Sequence, residues 1–104
     1  MLHEDNNVIY LIDEKESTAS VIGCIKNVKQ IFIPRLINYK SKKYEVTSIL
    51  AKSFEFSLAK LVQFASDSKI RMFDGDALYY SSIESITIPS ELVELKEGWC
   101  NKTS

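Results

Sequence analysis

The residues able to do chemistry are few and scattered. His3, the sole histidine, lies in the polar, acidic stretch Met1 to Asn7. Catalysis by a general base needs that base to converge on a nucleophile, a substrate proton or a metal. His3 has no such company and reads as an unstructured tail residue. Asp74 and Asp76 flank Gly75, which invites comparison with a calcium loop, but the Asp/Asn ladder and distal Glu of such a loop are missing. A turn stabilised by Asp and Gly is the plainer reading. Cys24 and Cys100 stand far apart without a cluster of other metal ligands, so neither a zinc site nor any other metal site is expected. Both read as small buried apolar residues, since a disulfide between them would require an oxidising compartment. Three glycines cannot build a phosphate-cradling loop. The expectation is therefore no catalytic residue, no cofactor and no enzyme.

Charge excludes other classes. Thirteen Lys and Arg nearly balance fourteen Asp and Glu, for a net charge of -1. Non-specific nucleic-acid affinity comes mainly from clustered cations, so no nucleic-acid partner is expected. The basic cluster Lys40, Lys42 and Lys43, between Tyr39 and Tyr44, reads as a decorated hairpin tip. No apolar run reaches the roughly 20 residues of a membrane-spanning helix, and neither a signal peptide nor an anchor is evident. Membrane insertion is not expected. Asn101-Lys102-Thr103 fits the N-glycosylation acceptor pattern, which matters only in a secretory pathway.

The elements that must position any site are mostly strands. At 104 residues, 45% hydrophobic and 26% charged, the chain suits one globular domain. Val8 to Ile12 and Ala19 to Ile25 flank the polar stretch Asp13 to Ser17 and predict a hairpin, with Gly23 marking a bulge or bend. Val28 to Ile33 is stopped by Pro34. Ile37 to Tyr39 faces Tyr44 to Ile49 across the lysine-rich turn. Ile49 to Phe64 reads as partly helical, because Leu50, Phe54, Leu58 and Leu61 recur at spacings of three or four.

A longer period organises the second half. The segment Phe54 to Phe64 superimposes on Leu78 to Ile88 at a 24-residue offset, pairing Ala59 with Ile83, Val62 with Ile86 and Phe64 with Ile88. Ile31 to Pro34 supplies an earlier copy of the strand Ile86 to Pro89. A second element recurs as well: Ile49 is followed by Ser53 and Phe54, Phe73 by Ala77 and Leu78, and Leu95 by Trp99 and Cys100. Each small-plus-large pair, reversed in the last copy, can plug one side of a coil. A lone coil cannot offset a backbone entropy of roughly 1 to 2 kcal/mol per residue. Stacked copies can share one core of Ile31, Ile33, Val62, Phe64, Ile86 and Ile88 while their backbones pair as parallel strands.

The strand alternation then points Gln30 and Phe32, Leu61 and Gln63, and Ser85 and Thr87 away from that core. These six are the candidate partner-binding residues on the concave face. Phe32 and Leu61 side by side predict an apolar patch, which either meets a protein partner or packs against the N-terminal hairpins. Tyr79 and Tyr80 add an aromatic pair, one of them expected to fill core. The organisation expected for residues 1–104 is a single unit, with about 8–30 as a hairpin cap and 31–104 as repeat coils. Its C-terminal coil is expected to be uncapped, which would let it continue a longer array or self-associate.

The strings Ser48-Ile49, Lys52-Ser53-Phe54, Ser68-Lys69-Ile70, Ser82-Ile83-Glu84-Ser85-Ile86-Thr87-Ile88-Pro89-Ser90 and Gly98-Trp99-Cys100-Asn101 resemble the BspA-like, or Treponema-type, leucine-rich repeats that are abundant in trichomonad parasites. The likeness runs over roughly Val8 to Thr103. It implies a β-rich leucine-rich-repeat solenoid of the α/β class, with short parallel strands, N-terminal β-hairpins and short convex helices or turns. By the same resemblance the chain is expected to be a protein-binding module of a surface antigen or adhesin. The different reading of an intracellular structural or self-assembling scaffold stays open beside it.

Overall fold

The computed structural model describes residues 1–74 and 76–87, together with the backbone of Glu94 and Leu95. Among the described residues ten strands run in order: β1 Leu2–Asp5, β2 Val8–Asp13, β3 Thr18–Cys24, β4 Gln30–Ile33, β5 Leu36–Tyr39, β6 Lys42–Ile49, β7 Leu61–Phe64, β8 Met72–Phe73, β9 Ser85–Ile86 and β10 Glu94–Leu95. They form a seven-stranded sheet, ordered β1-β2-β3-β6-β8-β10 with β5 beside β6, and a three-stranded sheet, ordered β4-β7-β9.

The hairpins follow from local chemistry. β1 pairs antiparallel with β2, and β5 with β6. Each pair is joined by a two-residue loop whose residues both have positive φ: Asn6 at 49° and Asn7 at 70°, Lys40 at 51° and Ser41 at 64°. That is the backbone twist a tight hairpin between right-twisted strands requires, and Asn tolerates it well. In the β2–β3 pair the register slips between Ile9 and Tyr10, where Ile9 faces Gly23 and Tyr10 faces Val21. The irregularity expected near Gly23 is present. The large sheet curls, bringing the His3 ring of β1 within 5.1 Å of the Tyr39 ring of β5. His3 is thus ordered and half-buried, which corrects its reading as an unstructured tail residue.

The 24-residue period is a backbone period. Ile49 of β6 lies in register with Phe73 of β8, 24 residues on, and Phe73 with Leu95 of β10 at a shorter step of 22. Leu61 pairs with Ser85 and Val62 with Ile86. The turns after β6 and β8 match as well: Lys52 and Asp76 have φ of 59° and 61°, and Phe56 and Tyr80 have φ of 60° and 52°. Hydrogen bonds tie these turns together, from Lys52 N–H to the Asp76 carbonyl at 2.9 Å, Phe54 to Ala77 at 3.0 Å and Phe56 to Tyr80 at 3.1 Å.

No helix forms among the described residues, and the helical reading of Ile49 to Phe64 is corrected: residues 51–56 are turns and Leu61–Phe64 is strand. The left-handed φ at Lys52 and Phe56 interrupts any α-helical run. The bonds within the segment are three-residue turn bonds, Ser53 N–H to Leu50, Glu55 to Lys52 and Ser57 to Phe54. The spacing of three to four arose because successive turns also bring apolar residues back to one side. Phe54 is fully buried while Leu58 is 57% exposed, so the four apolar residues share no single face.

The core lies between the two sheets. Ile31, Ile33, Val62 and Phe64 face Val46, Ile49 and Phe73, with Phe54, Ala59, Ala77, Leu78 and Ile83 buried along the turns. Phe64 and Phe73 meet edge-to-face at 6.4 Å. The buried Ser53 hydroxyl has its single proton shared between the Val21 carbonyl at 2.8 Å and the Leu50 carbonyl at 2.5 Å. It thereby fixes the first plug to β3. Ser57 and Ser68 hydroxyls accept from the N–H two residues on, of Ala59 at 3.1 Å and Ile70 at 3.3 Å. These bonds shape the entries to the following segments, whereas the buried Ser81 hydroxyl, 24 residues after Ser57, has no hydrogen-bond partner among the described residues. Ile88, Trp99 and Cys100, expected to complete the last strand and plug, lie outside the described residues.

Candidate protein-binding face

The small sheet has one face in the core and one in solvent. β4 pairs parallel with β7 through Gln30–Leu61, Ile31–Val62, Phe32–Gln63 and Ile33–Phe64, and β7 pairs parallel with β9. Alternation along each strand therefore sorts the residues. Ile31, Ile33, Val62 and Phe64 are buried, whereas Gln30, Phe32, Gln63, Ser85 and Thr87 are exposed and Leu61 is half-buried. Strand register brings Gln30, Phe32, Leu61, Gln63 and Ser85 together on this side of the sheet, and Thr87 follows β9 with its N–H donating to the Val62 carbonyl at 3.3 Å.

The geometry refines one detail. Phe32 stands opposite Gln63, and Leu61 opposite Gln30, so the Phe32–Leu61 contact is diagonal across the strand pair. A diagonal neighbour is still within reach of an aromatic ring. Phe32 is 43% exposed, so neither the hairpins nor another described element covers it. None of the six carries a charge, although 26% of the chain does. Charge enters at the border, where Lys60 and Glu84, the residues preceding β7 and β9, form an ion pair at 3.2 Å.

A second exposed feature extends the expected Tyr79–Tyr80 pair to Phe56 and Leu58, which the sequence reading did not place with it. Phe56, Leu58 and Tyr80 are 60%, 57% and 49% exposed on the turns. Phe56 and Tyr80, 24 residues apart, stack with ring centroids 5.8 Å apart and an interplanar angle of 13°. Tyr79 lies half-buried against Tyr80, with the Lys52 ammonium 5.4 Å from its ring centre. A hydrogen bond to Tyr80 and that residue's charge push the Tyr79 hydroxyl above its ordinary range. The signal was available in the sequence, since Phe56 and Tyr80 are related by the same 24-residue offset as the core pairs.

The remaining candidates are placed as follows. Cys24 is a buried free thiol raised in pKa, first by desolvation. Its proposed companion Cys100, the acceptor Asn101 and the central Gly75 of the Asp74–Asp76 turn lie outside the described residues. Lys40 and Lys42 sit at the β5–β6 tip over the rings of Tyr39 and Tyr44, at 5.3 and 5.5 Å, which accounts for the basic cluster as hairpin decoration. Among the described residues no group of three His, Cys, Asp or Glu gathers as a metal site, and no pocket opens. No helix there is long and apolar enough to cross a membrane.

Two solved structures share this arrangement. A leucine-rich repeat protein from Bacteroides capillosus superimposes with a TM-score of 0.77 over 99% of this chain and 94% of its own, at 15% identity. A leucine-rich cell surface protein from Faecalibacterium prausnitzii does so with a TM-score of 0.73 at 18% identity. The chain has a leucine-rich-repeat fold. It covers 29% of the second protein's length. No family model and no curated protein matches the sequence. The leucine-rich-repeat part of the resemblance is thereby shown, as a strand-rich fold in which the described connections are turns rather than helices, and both structural relatives are bacterial.

Proposed function

We propose that this chain is a protein-binding leucine-rich-repeat module that meets its partner with the solvent face of β4, β7 and β9. One observation carries the reading: six uncharged side chains, Gln30, Phe32, Leu61, Gln63, Ser85 and Thr87, share one sheet face with an ion pair at its border. Interfaces put charge-depleted, aromatic-containing surface at the centre and polar groups at the rim. The rigid core behind the strands preorganises those side chains and reduces the ordering cost of binding. Stacked coils of a solenoid add further strands to the same face, as repeat proteins build extended binding surfaces.

A place in a surface antigen or adhesin extends this reading. It is supported by the motif resemblance and by the fold shared with a bacterial cell surface protein. Capture of host or matrix proteins by the intact parent chain, compared with Leu61→Asp and Gln63→Lys variants, tests the face. Antibody staining of unpermeabilised cells tests the location. Capture unchanged by both substitutions, with the variants folded, removes the face from the function.

A further inference from the structure

The two sheets end differently. Beside β6, on the side away from β8, the large sheet continues with β3, β2 and β1. Beside β4, on the side away from β7, the small sheet has no further strand among the described residues. A strand of the small sheet is thus lacking at the level where β3 extends the large one.

The backbone of that edge has a defined polarity. In a parallel pair the N–H and C=O of one residue point to the same neighbour, and alternate residues point to opposite neighbours. The carbonyls of Lys29 and Ile33 accept from Lys60 and Ala65 at 3.0 Å each, so the odd-numbered residues of β4 face β7. Gln30 and Phe32 therefore aim their N–H and C=O outward. Neither has a backbone partner among the described residues outside the β7 pairing. Only an extended polypeptide matches such an alternating row of donors and acceptors.

Charge specifies the occupant further. From Ser17 to Tyr44 the chain holds six Lys and Arg and no Asp or Glu. Lys26 and Lys29 precede β4, and both are exposed. Arg35 follows β4, shared between Glu45 at 3.6 Å and Asp67 at 3.7 Å. Three of the six cations lie at the β5–β6 tip and Arg35 is opposed by two carboxylates, so the positive charge at this edge is that of Lys26, which also donates to the Glu55 carbonyl, and Lys29 at the start of β4. It favours an acidic partner there through complementary potential.

We infer that the free edge of β4 takes up an extended acidic peptide segment as an additional strand, through the backbone N–H and C=O of Gln30 and Phe32. This mode uses the edge and stands independently of the face proposed above. Pro34 ends the row, because it has no N–H to offer an incoming strand.

The test uses the whole chain and a blocked heptapeptide of sequence Glu-Glu-Val-Thr-Val-Glu-Glu, with the same peptide carrying Lys for Glu as its counterpart. Amide exchange and chemical shifts of Gln30 and Phe32 are followed by NMR during titration. Saturation with the acidic peptide should slow exchange of these two amides at least about tenfold, and the basic peptide should not. Phe32→Pro removes one outward N–H without touching the bonds to β7, and should abolish binding. Phe32→Ala keeps the N–H and should retain protection, and circular dichroism checks the folding of both variants. If Phe32→Pro does not fold, Gln30→Pro serves in its place. Absence of protection with the acidic peptide, equal binding of the basic one, or binding that survives in a folded proline variant each overturns the inference. So does protection that grows with protein concentration alone, which would assign the edge to a second copy. Leu61→Asn alters the face without adding a charge beside Gln30 and should leave peptide protection unchanged, which separates failure of the face from failure of the edge.

Discussion

Phe32 and Ile33 are neighbours on one strand with opposite fates, and substituting each by Asp measures how one-sided the small sheet is. Phe32 is 43% exposed and Ile33 fully buried. Complete burial of such a side chain contributes about 1.5 to 3 kcal/mol, so Phe32→Asp forfeits only the buried half of that, about 1 kcal/mol. Its carboxylate stays in water. Ile33→Asp loses the whole amount and places a charge between the sheets, where the effective penalty adds several kcal/mol more. A domain of this size is stable by about 5 to 15 kcal/mol, so the second change consumes most or all of it. Urea unfolding followed by circular dichroism distinguishes the two. With a slope of about 1 to 3 kcal/mol per molar, Phe32→Asp should lower the midpoint by roughly 0.3 to 1 M, and Ile33→Asp should leave no cooperative transition. Equal damage from both would refute the assignment of Phe32 to a free surface, and with it the proposed binding face.

Stability should hold to moderately alkaline pH and then fall. Burial raises the Tyr10 hydroxyl and the Cys24 thiol above their ordinary values near 10 and 9. A raised folded-state value favours the protonated fold, so this contribution is complete below the unfolded pKa and is lost as pH climbs past it. Melting temperatures should decline from about pH 9 upward, and Cys24→Ala should delay the onset. Ser53→Ala removes the donor shared by the Val21 and Leu50 carbonyls and should cost about 1 to 3 kcal/mol by denaturant titration. Replacing Lys40 and Ser41 by Asn and Gly suits the positive φ at both positions and should raise stability by about 0.5 to 1 kcal/mol. Phe56→Gly trades an aromatic stack of about 0.5 to 1.5 kcal/mol for relief of a left-handed residue of similar size. Its net effect should stay within about 1 kcal/mol, against about 3 to 5 for Phe54→Ala; a loss above 2 would show that the Phe56 ring is structural.

Legibility in the sequence followed the strength of the repeat. Val62 and Ile86, Ile49 and Phe73, and the plugs Ser53-Phe54 and Ala77-Leu78 recur, with burial on both copies except at the half-buried Ile86, so spacing alone located them. The six face residues followed because alternation in a strand leaves no freedom about which side a residue takes. Strand β1 was missed, since Leu2-His3-Glu4-Asp5 has no apolar alternation. The available cue was Asn6-Asn7, two residues tolerant of left-handed backbone directly before an apolar run. The misread helix has a different origin. Leu50, Phe54 and Leu58 repeat every four residues, as helices and successive tight turns both do. The second copy, Asp74 to Ser82, keeps Leu78 but has Ser82 in place of Leu58, and a helix needing that apolar position in both copies is disfavoured by the substitution.

The binding surface grows with the number of coils, and that sets what this chain can do alone. Each coil contributes two outward residues, and neighbouring strands are about 4.8 Å apart, so three strands present a face only about 10 Å wide. A standard interface takes about 800 Å² and 20 to 30 residues from each partner. Six side chains fall well below that, however favourable their composition. A partner held tightly by this module must therefore reach beyond the face, onto further coils, onto the exposed Phe56, Leu58 and Tyr80 turns, or along the β4 edge. The edge differs from the other two in kind, because its hydrogen bonds come from backbone and ask little of the partner's side chains. A weak face combined with a sequence-tolerant edge suits recognition of extended protein segments, with charge selecting among them.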